Sequence, residues 1–292
     1  MKYIQGIKKI NSSIIFMLLY CLVMSAVTIL LKIMQSDYHI TQLMLMYNIL
    51  ICVLLAIIII FNKKCIISCK NIKYHFLRSV FGFTGFSLFC YSFYHINITE
   101  VKAIMTLDPV FTTMLAIYFY KESITLNKVI ALVITLIGAI IIFHPRNIDL
   151  SIYSITSLAA AFSYGLYNNL TKKITDGGIF EQRFYLSFFS AIFSLLPAIY
   201  FWRNTVAIID VACIIVIACL FIISSFSIFI AFKKSDLSLL MPLHFIGIVI
   251  TAIMGFLVFN ETITYRTIIG SSIIIIGSFP VFIKTNLKKI SS

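Results

Sequence analysis

The chain has 292 residues, of which 61% are apolar and only 11% charged, with a mean hydropathy of +1.06 and a formal charge of +13. A soluble domain carries roughly 25% charged residues, so this chain cannot cover a water-facing surface and most of its exterior must meet lipid. The basic residues sit in short clusters between apolar runs rather than on one amphipathic face, which argues against a nucleic-acid partner.

Apolar runs bounded by charge predict ten transmembrane helices, at 12–33, 40–61, 74–94, 101–119, 126–143, 150–171, 181–201, 208–232, 238–259 and 266–283. Each is long enough for a hydrocarbon core of about 30 Å at 1.5 Å per residue. Lys8 and Lys9 precede the first run, which is too long for the core of a cleaved signal peptide and reads as a retained helix. Basic residues gather in cytoplasmic loops. With the N-terminus inside, 18 of the 23 lysines and arginines fall on the inner side, Arg78 and Arg183 among them, and 5 on the outer side. Both termini are therefore expected in the cytoplasm.

Seven cysteines are present, five of them inside apolar spans, where cysteine behaves as a small hydrophobe. Cys65 and Cys69 share a loop with no second pair of ligands nearby, so no metal site is expected. There is no phosphate-binding glycine loop, no zinc-protease motif and no nucleophile elbow.

Shifting the chain by 139 residues aligns Asp108–Phe143 with Gly247–Phe282 without a gap, giving ten identities in 36 positions. The polar core of the match is Glu122-Ser123-Ile124-Thr125 against Glu261-Thr262-Ile263-Thr264, each closing an apolar span. Two five-helix copies follow, at 1–147 and 148–292, and because five is odd the second copy enters the membrane from the opposite side. The expected fold is thus an all-α membrane protein of ten transmembrane helices in two inverted repeats. That architecture recurs in secondary transporters, which place their site near the midplane.

The pattern resembles the EamA branch of the drug/metabolite transporter superfamily. The resemblance rests on Leu77-Arg78-Ser79, Gly85, Tyr91, Ala103, Asp108-Pro109 and Glu122 in the first half. In the second half it rests on Met241-Pro242-Leu243-His244-Phe245, Phe259-Asn260-Glu261 and Gly277. The proline stands 13 residues before the glutamate in one copy and 19 in the other, as in the subgroup with S-adenosylmethionine uptake carriers of intracellular bacteria. The resemblance implies a permease in the bacterial inner membrane, without cofactor or metal, whose partners are a small solute and the lipid bilayer. It implies a cavity lined by the third, fourth, eighth and ninth spans, with the first and sixth contributing. An exporter of amino acids or other metabolites is the nearest alternative. A lipid-modifying intramembrane enzyme is a distant one, since it needs more converging ionisable groups.

Asp108 is the one carboxylate well inside a predicted span, eight residues and roughly 12 Å from its outer end. A charge at that depth costs about 2.5–3.5 kcal/mol on insertion scales and commonly faces a cavity. It suits a cationic solute or a proton, or else stays protonated, or pairs with Lys102 or His244. Pro109 beside it removes a backbone donor and predicts a kink. His244 follows Pro242 in the first half of the ninth span and is expected to be a neutral hydrogen-bonder, a titrating group or a packing residue. Tyr91, Tyr94, Tyr164, Tyr167 and Asn168 are candidate cavity walls, the last three sharing one helical face. Glu122 and Glu261 are expected to pair at helix ends, and Pro109 and Pro242 to act as hinges. Gly270 and Gly277 are expected to let helices pack closely.

Overall fold

The computed structural model describes residues 2–61, 71–95, 98–143, 151–174, 178–203, 207–260 and 262–287, with backbone alone at 2–11, 93, 94, 98–100 and 279–287. All regular elements among the described residues are α-helices. The first repeat holds α1 (Lys2–Met34), α2 (Ile40–Phe61), α3 (Ile72–His95), α4 (Ile98–Met105), α5 (Asp108–Tyr120) and α6 (Leu126–Phe143). The second holds α7 (Ile152–Lys173), α8 (Ile179–Tyr200), α9 (Ile208–Lys234), α10 (Leu237–His244), α11 (Ile246–Phe259) and α12 (Tyr265–Leu287). These twelve segments make ten spans, because α4–α5 and α10–α11 are each one span broken in the middle. Seven spans are long and apolar enough to cross a bilayer by length and composition. The third and sixth spans, α3 and α7, are less apolar because they carry buried polar side chains, including Arg78, Ser79, Asn168, Asn169 and Thr171.

The packing respects the repeat. α1 lies against α9 and α11, and in the same way α7 lies against α3 and α5. α2 packs on its equivalent α8, and α6 on its equivalent α12. The apolar contacts gather in clusters around Met17, Leu237 and Leu240, around Leu43, Ile51 and Leu55, and around Ala139, Phe245 and Ile274. Tyr120 and Phe259 stand 139 residues apart, with Lys172 over the ring of the first at 5.6 Å and Lys32 over that of the second at 4.5 Å. The residues that follow them, Lys121 and Asn260, are the two non-glycine residues with positive φ among those described, each at 52°. Such a left-handed residue ends a helix abruptly. The two copies therefore leave the membrane through the same backbone device.

Where the sequence predicts continuous spans at 101–119 and 238–259, the structure interrupts both. The breaks fall at Thr106–Leu107 and at Phe245, again 139 residues apart, although Pro109 follows the first and Pro242 precedes the second. Proline therefore does not set the position of the break; the fold does. Freed carbonyls find side-chain donors, as buried polar backbone groups must. The carbonyl of Ala103 accepts from Thr106 Oγ1, and that of Pro242 accepts from Ser278 Oγ at 3.3 Å.

Between α6 and α12 the main chains meet. A Cβ on Gly138 would fall 2.7 Å from the Gly270 carbonyl oxygen, and one on Gly270 would fall 2.5 Å from that of Gly138. Only glycine permits this approach.

Candidate solute-binding site

The two broken spans and the first helix of each repeat meet through a matched pair of threonines. Thr251 on α11 donates to Ser25 of α1 at 2.9 Å, while Thr112 on α5 receives the Asn168 amide of α7 at 3.1 Å. The pair is one of the repeat identities, but its surroundings differ. One turn before Thr112 stands Asp108, and the equivalent residue in the second copy is Gly247. The inverted scaffold thus carries an acid in one half alone.

Asp108 is half-buried at the start of α5. Its Oδ1 accepts from Thr112 Oγ1 at 3.0 Å and from Asn168 Nδ2 at 3.1 Å. No described side chain donates to Oδ2, and neither Lys102 nor His244 forms an ion pair with the carboxylate. Asn169 holds the same junction, donating to the carbonyls of Thr112 and Gly165 at 3.0 and 2.9 Å. Gly165 lets α7 approach this closely, since a Cβ there would lie 3.0 Å from that of Phe111. The acid is therefore held by neutral donors on one oxygen.

Around it are half-buried tyrosines. Tyr164 and Tyr167 contact edge to face at 6.4 Å, and their rings close over Gly85 and Gly82 of α3. Tyr164 lies in the neighbourhood of Asp108, and so does Tyr20 of α1. Tyr20 also stacks with His244 at 6.0 Å. Tyr47 of α2 lies in range of both α7 tyrosines. The structure thus brings Asp108, Tyr164, Tyr167 and Asn168 together, and links His244 to them through Tyr20.

Tyr91 belongs to a different group. It sits near the end of α3 against His95 and Tyr153 and lines an apolar recess of about 240 Å³ with Phe83, Phe86, Cys90 and Phe201. The side chain of Tyr94 and all of Glu261, Cys65 and Cys69 lie outside the described residues. Pro109 is buried in the first turn of α5, and Pro242 inside α10.

Glu122 closes one end of the bundle. Its Oε1 accepts from Lys172 Nζ at 2.8 Å and from the Leu237 amide at 2.9 Å; its Oε2 accepts from the amide and hydroxyl of Ser238 at 3.0 and 2.6 Å. The carboxylate thus caps α10 from another part of the chain, where the helix dipole favours negative charge. Lys128 adds bonds to Asp236 at 3.1 Å and to Ser238 at 2.9 Å, and Lys234 reaches Ser12 at 2.7 Å. The far end is joined differently, through Tyr38 to Asp210 at 2.5 Å and through stacking of His39 on Phe201.

Sequence reading missed Tyr20 and Tyr47, whose apolar contexts give no signal. It also missed Arg78 and Arg183, which the structure buries at 2% and 6% exposure.

A half-buried acid held by neutral donors, tyrosine walls and two inverted halves broken at equivalent points are the parts of a carrier. The EamA-like transporter family matches residues 11–144 and again 151–283, so that each repeat is one match. The chain belongs to the EamA-like transporter family. A similar EamA-family-sized protein is the S-adenosylmethionine uptake transporter of Rickettsia bellii, 24% identical over 224 residues, 76% of this chain and 76% of that one. That of Rickettsia conorii is 25% identical over the same shares. The riboflavin transporter of Vibrio cholerae is 23% identical over 239 residues, 81% of this chain and 80% of its own. A protein of known crystal structure covers 97% of this chain and 99% of its own at a TM-score of 0.79 and 12% identity, which shows a shared fold.

Proposed function

We propose that this EamA-family transporter moves a small organic cation-bearing metabolite by alternating access, and that S-adenosylmethionine uptake is its activity. The observation that carries the reading is Asp108, whose Oδ1 is satisfied by Thr112 and Asn168 while Oδ2 is left to a solute. A sulfonium or ammonium neutralises that oxygen, and the neighbouring tyrosine faces attract both the cation and a ring. The named activities of the Rickettsia relatives point to the same solute. The riboflavin transporter favours a second reading, a neutral ring-bearing solute held by the tyrosines alone. Export of an amino acid is the third. The test is uptake of labelled S-adenosylmethionine by cells expressing the protein. Accumulation above vector controls, displaced by the unlabelled compound but not by riboflavin, is the expected result. No uptake, with transport of riboflavin or an amino acid instead, discards this solute and keeps the family.

We place the repeats at 1–147 and 148–292, in the bacterial inner membrane with both termini cytoplasmic, on the strength of the lysine and arginine distribution. The Glu122 end is then cytoplasmic, and the end joined by Tyr38 and Asp210 is outside. In a background without native cysteines, an impermeant thiol reagent added outside cells is expected to label Asp37→Cys and spare Ser123→Cys. Labelling of Ser123→Cys and protection of Asp37→Cys reverses the orientation.

A further inference from the structure

Arg78 and Arg183 are buried without a counter-ion among the described residues. Arg78 is six residues, or roughly 9 Å at 1.5 Å per residue, into α3. Each guanidinium offers five donors and no acceptor. Arg78 uses one of them, Nη2 to the Gln182 carbonyl at 2.6 Å, and its Nε has no partner. Arg183 makes no hydrogen bond to a described residue, and its Nε is likewise buried and unpartnered. No described carboxylate lies within 4 Å of either; the nearest acid in sequence, Glu181, faces His75 at 3.5 Å. Two unneutralised guanidinium groups inside a membrane protein are costly unless something else meets them.

Their surroundings are those of the solute site. Arg78 lies over the ring of Tyr167 at 5.8 Å, and Arg183 over Phe221 at 5.4 Å. The two arginines stand near enough to repel each other, and both lie in the neighbourhood of Tyr167. Phe221 stacks on Tyr47 at 4.6 Å, so the same aromatic wall continues past both. The residue after Tyr167 is Asn168, which holds Asp108. Consecutive positions of α7 therefore touch a cation pair and an acid.

We infer that Arg78 and Arg183 receive an anionic group of the transported solute, a carboxylate or a phosphate, while Asp108 receives its cationic group, so that the cargo is dipolar. The planar fork of arginine fits either anion through paired N–H bonds, and the unused donors are of the kind required. Binding of the anion supplies the missing counter-charge, which ties occupancy of the site to the electrostatics of α3 and α8. This assignment rests on the transporter reading but not on a particular solute.

The test is equilibrium binding to purified full-length protein, with melting temperature as a second readout. The probes are S-adenosylmethionine and its decarboxylated form, methionine and methioninamide, and inorganic phosphate. The parent is expected to bind the carboxylate member of a pair 10–100-fold more tightly, the worth of a lost charge-assisted contact. In Arg78→Gln and Arg183→Gln that discrimination is expected to collapse, and in Arg78→Lys and Arg183→Lys to return in part, because charge survives and the fork does not. Since the readout is a ratio between two ligands on one protein, a general loss of stability does not imitate it. A stronger response to phosphate, lost in the same variants, assigns the pair to a phosphorylated solute. If S-adenosylmethionine does not bind but another carboxylate or phosphate does, the solute identity fails and the arginine assignment stands. Equal discrimination in parent and glutamine variants, or no response of the parent to any anion, overturns it.

Discussion

Replacing Glu122 by alanine is expected to open one end of the bundle and lower its stability by about 3–5 kcal/mol, the cost of removing one member of a buried pair. Four donors from two elements converge on this carboxylate: Lys172 from α7, and two amides and a hydroxyl at the start of α10. Glutamine does not replace it, since an amide offers one acceptor oxygen and turns a donor toward donors already present. Both variants are expected to melt several degrees below the parent, with glutamine between alanine and wild type. Acid is expected to act on the same contact. Burial pushes the Glu122 carboxyl upward, but hydrogen bonds from Lys172 and Ser238 outweigh it and hold the group below its usual range. A depressed pKa in the folded protein means that the contribution is present above the unfolded value of about 4.3 and fades as pH falls through the folded one. The parent is expected to lose stability only in that acid window, and Glu122→Ala to lack the component. Equal melting temperatures and parallel acid profiles for parent and variant would show that the contact is not a lock.

Asp108→Asn is expected to fold and insert normally yet lose one to two decades of concentrative uptake. Both observed hydrogen bonds end on Oδ1, from Thr112 and Asn168, and the oxygen of asparagine accepts both. The substitution therefore removes charge and titration at Oδ2 and little else. A charge-assisted contact is worth about 1.5–3 kcal/mol, roughly one to two decades in affinity. Uptake of labelled S-adenosylmethionine at equal expression, measured across pH, decides the matter. Transport equal to the parent at every pH would make Asp108 a packing residue held by its neighbours.

Much of this architecture is legible in sequence because lipid imposes it. Apolar runs mark the spans, and the repeat around Glu122 and Glu261 marks the halves. Pro109 announces a bend, although the break lies two to three residues before it and its partner break at Phe245 follows Pro242 instead. Asp108 stands out because an acid in an apolar run is costly. The rest of the site is hidden for a physical reason. A helix apolar all round carries no period that tells its inner face from its lipid face. Tyr20 and Tyr91 look alike in sequence, yet one reaches His244 near the centre and the other stacks near a helix end. Arg78 and Arg183 were disguised more thoroughly. Basic residues near span ends read as topology markers, and only helix rotation shows these two turned inward beside Tyr167.

The glycine contact between α6 and α12 has a mechanical consequence. Elsewhere the halves are keyed together by side chains, so relative motion requires new rotamers and leaves ridges out of their grooves. At Gly138 and Gly270 backbone rests on backbone, with an isoleucine seated against each glycine. Such a seam sets the spacing of the two halves, since any side chain larger than hydrogen there would drive them apart. Ile274 and Ile142, whose Cγ1 atoms would lie 2.9 and 2.5 Å from an added Cβ, form the collar that leaves no room for a wedge.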